Sequence, residues 1–209
     1  MNSAADLEQF LQQASNVLKT NPLAAHQRIK VLENAKELMK IRREELIETA
    51  CAEGGKPYND SAVEVDRAIN GVQLAINAIH ELKGENIPMG LTAASEGRLA
   101  FSVKEPIGVV AAIVPWNSQM FLSAVKLAPA LAAGCTVVLK ASEDGPAPLL
   151  HFAKLVDEAG FPPGVVNIIT GAGATGAALV EHPDVNKIAF TGSTSVGKII
   201  QRSIAGTNK

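Results

Sequence analysis

Cysteine is scarce in this sequence of 209 residues, which contains only Cys51 and Cys135. Two cysteines cannot form the disulfide framework that stabilises many small secreted domains. The four histidines are scattered along the chain, and none accompanies a pair of cysteines. The sequence therefore offers no zinc module, and we predict no metal site.

The sequence also lacks an excess of charge of either sign. Nineteen lysines and arginines oppose 21 aspartates and glutamates, which leaves a formal net charge of −2. A chain with this balance has no general attraction for nucleic acid, and we predict no nucleic-acid partner. Hydrophobic residues make up 47% of the chain and charged residues 19%, which is typical of a globular protein.

One long stretch, from Pro106 to Val125, carries no charge and has about the length of a membrane span. Its centre, however, contains a proline followed by Trp116, Asn117 and further polar side chains, which would be costly inside a bilayer. The first residues also lack the basic segment and apolar run of a secretory signal. We therefore predict a cytoplasmic protein without membrane partners.

Residues 1–97 have the apolar spacing of amphipathic helices. Leu7, Leu11 and Ala14 define the first helix, with Ser3 as its predicted N-cap. A second helix is predicted to begin at Asn21-Pro22 and to run to Gly54-Gly55, and a third covers residues 62–82. We interpret this part as a helical leading segment that packs on the domain that follows.

Residues 98–209 change to the pattern of an α/β domain. Leu99, Phe101 and Val103 alternate like a half-buried strand. Four short β-branched runs follow, at residues 108–114, 136–140, 165–170 and 185–190, and helical stretches separate them. Apolar strands that alternate with helices predict a parallel sheet with flanking helices, the Rossmann-like class.

Two glycine-rich turns follow the last two predicted strands, where ligands bind in open α/β sheets. Gly171, Gly173 and Gly176 match the GxGxxG dinucleotide pattern, but no acidic residue lies about 20 positions later as that fingerprint requires. These glycines are equally explained by tight turns and close helix–sheet packing. The turn from Thr191 to Gly197 joins a strand to a helix, whose free backbone N–H groups could hold a phosphate.

Four segments together resemble the aldehyde dehydrogenase superfamily, and the resemblance covers essentially the whole chain. They are PIGVVAAIVPWN (106–117), KLAPALAAGCTVVLK (126–140), GVVN (164–167) and FTGS (190–193). The resemblance implies an NAD-dependent enzyme that oxidises an aldehyde to a carboxylic acid. It also implies that residues 98–209 are the NAD-binding part.

The resemblance assigns roles to individual residues. Asn117 matches the asparagine whose amide stabilises the oxyanion formed by thiolate attack on the aldehyde, although it could also cap the following helix. Lys140 and Glu143 match the residues that bind the adenosine ribose, and a carboxylate there favours NAD over NADP. The full set implied for the cofactor is Ile113, Pro115, Trp116, Lys140, Ser142, Glu143, Gly173, Thr191, Gly192, Ser193, Thr194, Ser195, Val196 and Gly197. The turn from Gly192 to Gly197 is expected closest to the phosphates.

The chain departs from the family pattern at three places. Ala141 stands where the family has proline, and Ser118-Gln119 replace an aromatic residue and proline. The chain reaches Lys209 before the family's general-base glutamate and nucleophilic cysteine, so the catalytic domain is expected to be absent. Cys51 and Cys135 lie in helix and strand patterns that do not suggest a reactive thiol. We therefore expect this half alone to lack turnover, whereas the complete enzyme is expected to be a homo-oligomer.

A second hypothesis is a non-catalytic remnant of the family that binds a nucleotide or a protein partner. A third, a short-chain-type dehydrogenase, requires lysine four residues after a tyrosine. The chain's single tyrosine, Tyr58, is followed at that spacing by Ala62, which excludes this class.

Overall fold

The structure is a computed structural model, and it describes residues 3–209. The helices of this part are α1 (Ala4–Thr20), α2 (Ala25–Ile41), α3 (Arg43–Gly54), α4 (Tyr58–Ile79), α5 (Gln119–Ala132), α6 (Ala147–Glu158), α7 (Gly173–Glu181) and α8 (Thr194–Ser203). The strands are β1 (Asn86–Ile87), β2 (Ala100–Phe101), β3 (Val109–Ile113), β4 (Thr136–Ala141), β5 (Val166–Thr170) and β6 (Val185–Phe190). Among these residues, no helix combines the length and hydropathy of a membrane-spanning segment.

Ser3 caps α1, as the sequence predicts. Its hydroxyl accepts a hydrogen bond from the backbone N–H of Asp6 at 3.2 Å, and the Asp6 carboxylate accepts from the N–H of Ser3 at 2.7 Å. This reciprocal pair satisfies two of the N–H groups that a helix start leaves free. Leu7, Leu11 and Ala14 are buried along one face of the helix.

The prediction of one long second helix is wrong, because the chain forms α2 and α3 with a break at Arg42. The backbone of Arg42, with φ −99° and ψ 21°, ends one helix and begins the next. Met39 and Leu46, on either side of the break, are both buried in the same core. The apolar spacing therefore continues across Arg42 and gives no sign of the interruption.

The prediction of a half-buried strand over Leu99, Phe101 and Val103 is also wrong. Only Ala100 and Phe101 pair, antiparallel to β1, and this ribbon does not join the main sheet. Leu99 is 81% exposed, and the side chains of Phe101 and Val103 are exposed as well. Alternation predicted the extended backbone but not the burial, because no element of residues 3–209 covers this ribbon's apolar side chains.

The four longer strands form one parallel sheet in the order β5-β4-β3-β6, which confirms the predicted α/β fold. Alternate residues of β3 face opposite sides. Val109 and Ala111 pack with residues of α1 and α7, whereas Val110 and Ala112 belong to the larger core with α2, α4, α5 and α6. Helices therefore cover the sheet on both faces, as continuous apolar strands require.

Helices of the leading segment pack on both sides of the parallel sheet, directly on one face and through α5 on the other. On one face α1 lies directly on the sheet, where the Thr136 hydroxyl donates to the carbonyl of Ala14 at 3.1 Å. On the other face α4 packs on α5, so closely that a Cβ at Gly71 would lie 3.5 Å from Val125. The packing of α4 on α5 thus fixes the position of α5 and of the loop before it.

Candidate functional site

The candidate site lies at the carboxyl ends of β3 and β6, where the order of the sheet reverses. The chain passes from β3 outward to β4 and β5, and then returns to place β6 on the other side of β3. In an open α/β sheet, such a reversal leaves a crevice between the loops that follow the two strands.

A cavity of about 410 Å³ occupies this crevice. Most of the residues predicted for the cofactor line it, namely Ile113, Pro115, Lys140, Ser142, Glu143, Gly173, Thr191, Gly192, Ser193 and Val196. Other lining residues on α7 and α8 were not singled out from the sequence, among them the acidic Glu181 and the apolar Ala177, Val180, Ile199 and Ile200. No local motif marks these residues, and only the fold shows that they line a cavity.

Lys140 and Glu143 form an ion pair at the edge of this cavity. The Lys140 ammonium donates to a Glu143 carboxylate oxygen at 3.0 Å and to the carbonyl of Ala141 at 3.1 Å. The lysine side chain is only 7% exposed, and its stem lies against Gly176 of α7, whereas the Glu143 side chain is 42% exposed. A hydrogen bond from the backbone of Glu143 itself and the bond from Lys140 lower the pKa of this carboxyl. The pair thus presents an ionised, accessible carboxylate held by a buried cation.

The turn between β6 and α8 forms the opposite wall. Ser193 is the N-cap of α8, and its hydroxyl accepts from the N–H of Val196 at 3.3 Å. A Cβ at Gly192 would lie 2.4 Å from the tip of the Phe190 ring, so this close approach requires glycine. The hydroxyl of Ser195 shares a hydrogen bond of 3.0 Å with that of Ser193.

Two residues of the same turn, Thr194 and Gly197, line a neighbouring surface cavity with Ile188 and Lys198. That cavity shares Thr191, Gly192 and Ser193 with the main crevice, which Thr194 and Gly197 do not line. The residues predicted from the turn before α8 therefore do not all line the same cavity.

Trp116 and Asn117 line a second, open cleft that adjoins the first. This cleft has a volume of about 560 Å³, and Pro115, Thr191, Gly192 and Ser193 border both cavities. Both Trp116 and Asn117 are exposed there. Asn117 therefore lies beside the main cavity, with its side chain open to solvent and to a ligand.

Asn117 does not cap α5, which corrects one of its two expected roles. The N-cap is Ser118, and it makes no side-chain cap bond. Instead Glu64 of α4, which is 5% exposed, accepts from the N–H of Met120 at 2.8 Å and from that of Phe121 at 3.4 Å. The other oxygen of Glu64 is ion-paired with Lys56.

A second carboxylate of the helical segment caps the next helix. Glu53 of α3 accepts from the N–H of Ala147, in the first turn of α6, at 2.6 Å. Sequence reasoning missed Glu53 and Glu64, since each partner lies more than fifty residues away. Only their position on helices next to an uncapped helix start identifies them.

Lys126 of α5 connects the two halves of the site. Its ammonium donates to the hydroxyl of Thr191 at 2.6 Å, and burial lowers the pKa of this lysine. This bond joins the helix after Asn117 to the turn before α8.

The GxGxxG pattern has separate structural explanations for two of its glycines. A Cβ at Gly171 would lie 2.2 Å from the Thr175 hydroxyl, and one at Gly176 would touch the Lys140 stem. Gly173 meets nothing within 4 Å and lines the main cavity.

Neither cysteine lies in the two clefts. Cys135 is buried just before β4, and Cys51 of α3 packs against the larger core. Within residues 3–209, no cluster of histidine, cysteine and acidic residues could hold a metal ion.

The sequence profile of the aldehyde dehydrogenase family matches residues 1–209. The chain belongs to this family. It is 48% identical over 184 residues to (Z)-2-((N-methylformamido)methylene)-5-hydroxybutyrolactone dehydrogenase of Acinetobacter baylyi, with 88% of this chain and 37% of that protein covered. It is 42% identical to 3-sulfolactaldehyde dehydrogenase of Priestia aryabhattai, with 98% and 43% covered.

Solved structures of family members have the same fold over this length. An NAD⁺ complex of an aldehyde dehydrogenase from Bacillus cereus matches with a TM-score of 0.92 and 36% identity, covering 98% of this chain and 42% of that one. A glyceraldehyde-3-phosphate dehydrogenase from Methanocaldococcus jannaschii, complexed with NADP, matches with a TM-score of 0.90 and 34% identity, covering 99% and 45%. The chain thus spans less than half the length of these relatives.

Proposed function

We propose that residues 98–209, supported by the helical segment 1–97, bind NAD for an aldehyde dehydrogenase that converts an aldehyde into a carboxylic acid. The observation that carries this proposal is the Lys140–Glu143 pair at the end of β4, facing the α8 N-terminus across one cavity. A carboxylate that accepts from ribose hydroxyls and a helix start that receives phosphates are the two elements of dinucleotide recognition.

The shape and the chemistry of the cavity fit such a ligand. Val180, Val196 and Ile199 offer an apolar surface for a flat base, and Glu143 offers an exposed acceptor for sugar hydroxyls. At the other end, Val196 is the residue of the first turn whose backbone N–H donates to the Ser193 hydroxyl, which leaves other N–H groups of that turn for a pyrophosphate. Gly173 keeps the entrance free of a side chain.

The cavity favours NAD over NADP on electrostatic grounds. Glu143 is ionised at neutral pH, because its pKa lies below the ordinary value. A 2′-phosphate beside it would meet like charge, and no arginine lines the cavity within the described residues. We therefore infer that NAD is the preferred cofactor, although a relative from Methanocaldococcus jannaschii was solved with NADP.

The residues of the adjoining cleft would bind the aldehyde and stabilise the charge that develops on it. Bound NAD would supply the carbon that accepts a hydride from the substrate. The Asn117 amide, which caps nothing in α5, is available to donate to the oxygen of an aldehyde as negative charge develops there. Lys126 holds the hydroxyl of Thr191 at the boundary of the two cavities, and Phe121 and Leu122 offer an apolar wall. We therefore assign to Asn117 the stabilisation of the negative charge on the aldehyde oxygen.

The test is a titration of the purified chain with NAD, followed by the fluorescence of Trp116, the single tryptophan. We expect saturable quenching, and we expect Lys140→Met to weaken it about tenfold, the loss typical of one hydrogen bond to a charged group. Lys154→Met, which removes an exposed lysine of α6, is the matched control and should leave the affinity unchanged. NADP should bind more weakly than NAD.

A folded chain whose fluorescence does not respond to NAD would contradict the proposed function. Because neither cysteine lies in the clefts, we also expect no aldehyde-dependent NADH formation from these residues alone. This result would agree with the alternative of a nucleotide-binding remnant. Turnover that disappears in Asn117→Ala would instead show that a nucleophile is present.

A further inference from the structure

The cleft of Trp116 and Asn117 contains one charged side chain that the proposed reaction does not use. This residue is Arg67 of α4, which lines the cleft together with Phe121, Leu122 and Ser118. The lining residues include no aspartate or glutamate. An accessible guanidinium without an acid beside it is a potential site for an anion.

The packing of α4 on α5 fixes the position of Arg67. One turn before it, Glu64 holds the N–H groups of Met120 and Phe121, and one turn after it, Gly71 lies against Val125. Residues spaced by three or four positions share one face of a helix. Arg67 therefore lies on the face of α4 that borders the beginning of α5, just after the loop of Asn117.

The neighbouring acids are already engaged elsewhere. Asp66, adjacent in sequence, accepts two hydrogen bonds from Arg43 at 2.7 and 2.9 Å. Glu64 is buried and shared between Lys56 and the start of α5. Within residues 3–209, no hydrogen bond or ion pair involves Arg67, so its charge is balanced only by solvent.

The other groups around this cleft add positive potential. The ammonium of Lys126 donates to the hydroxyl of Thr191, which lines the cleft. Ser193, another lining residue, is the N-cap of α8, and a helix N-terminus carries partial positive charge. The chain as a whole has a net charge of −2, so this cationic cleft is a local feature. It would favour anionic over neutral molecules.

We propose that Arg67 is a specificity-determining residue that binds the carboxylate of an acidic aldehyde, whose carbonyl group lies at Asn117. This inference rests on the proposed function and adds the class of substrate. The planar guanidinium can donate two parallel hydrogen bonds to a carboxylate. The apolar side chains of Phe121 and Leu122 would contact the methylene groups between the two ends.

The experiment compares two methyl ketones of the same shape, which imitate an aldehyde but form imines with lysine less readily. Levulinate carries a terminal carboxylate, and 5-methyl-2-hexanone carries an isopropyl group in its place. Each is titrated into the chain, with Trp116 fluorescence as the readout. We expect levulinate to bind about tenfold more tightly, as a charge-assisted pair predicts.

Three variants identify the source of this preference. Arg67→Gln should abolish it, whereas Arg67→Lys should retain part of it, since lysine keeps the charge and loses the planar pair of donors. Arg98→Gln removes an exposed arginine that lines neither cleft, and it should leave the preference unchanged.

Equal affinity for the two ketones, absence of binding, or equal losses in Arg67→Gln and Arg98→Gln would overturn the proposal. The affinity of the unaltered chain for NAD is measured in the same preparation. Normal NAD binding without a preference for levulinate would contradict the role of Arg67 alone. Failure to bind NAD would contradict the proposed function instead.

Discussion

The turns before α5 and α8 are two of the strand-to-helix turns that border the candidate site, and their free N–H groups are satisfied in different ways. At α5, a buried carboxylate from α4 occupies the N–H groups of Met120 and Phe121. At α8, Ser193 satisfies Val196 from within the turn itself. The first helix start is closed by the protein, whereas the second remains open to a ligand.

Under the proposed function, this difference separates the tasks of two adjoining cavities. A helix start that already holds a carboxylate cannot also receive an anion, so the α5 turn contributes side chains, above all Asn117, to its cleft. The α8 turn contributes its backbone, and its glycine at position 192 keeps that backbone accessible. Two similar sequence patterns, each a strand followed by a turn and a helix, thus have different roles in the proposed function.

The largest effect is expected from removing the carboxylate that closes α5. Glu64→Ala leaves two N–H groups of α5 and the Lys56 ammonium without their buried partner, and it should lower the free energy of unfolding by about 3 kcal/mol. Urea unfolding followed by circular dichroism measures this loss. Glu64→Gln keeps an oxygen acceptor and should cost about half as much.

A loss below about 1 kcal/mol in Glu64→Ala, the value of an ordinary hydrogen bond, would show that solvent can replace this cap. The two helix starts would then differ in structure, but the Glu64 cap of α5 would add little to stability.

A smaller effect is expected from filling the open turn of α8. In Gly192→Ala, the new Cβ meets the Phe190 ring, and overpacking of this kind costs about 1–3 kcal/mol. The ring or the turn must move, so the affinity for NAD should fall about tenfold. Equilibrium dialysis with NAD measures this change.

Gly54→Ala is the matched control, because a Cβ at that helical position makes only ordinary contacts of 3.8 Å. An unchanged NAD affinity in Gly192→Ala would show that the shape of this turn does not control cofactor binding.

The smallest effect concerns the Lys140–Glu143 pair and depends on pH. The pKa of Glu143 is lowered in the folded chain, so its contribution to stability is present above the unfolded pKa and disappears as the pH falls through the folded value. The unaltered chain should therefore be slightly more stable than Glu143→Gln at pH 7. The difference should vanish as the pH falls below about 4.3, the reference pKa of glutamate.

Urea unfolding of the two proteins at a series of pH values measures this difference. A stability difference that persists unchanged into strong acid would show that ionisation of Glu143 is not its source.

The same contrast explains what the sequence could and could not predict. The Ser3 cap and the four longer strands depend on residues close together in the chain, and both predictions are confirmed. The cleft itself was located because ligands bind where parallel strands end. These features follow local rules.

The features that were missed depend on distant partners. Glu64 resembles any glutamate on a helix, until the fold places it against the start of α5, 56 residues later. The break at Arg42 leaves the apolar spacing intact, and the exposure of Phe101 depends on what covers the ribbon. Pairing and coverage are properties of the assembled fold, and a pattern of residue types does not contain them.

The position of α1 has a consequence for the order of folding during synthesis. This helix is translated before the strands on which it packs, and the Thr136 hydroxyl that contacts it is separated from Ala14 by 122 residues. Its buried face also packs on Val109, Ala111 and Val138, which leave the ribosome much later. An isolated helix of this length is marginally stable in water, so α1 has to wait, with its apolar face uncovered, until β3 and β4 have been translated. During this interval the exposed apolar face of α1 makes the nascent chain prone to aggregation.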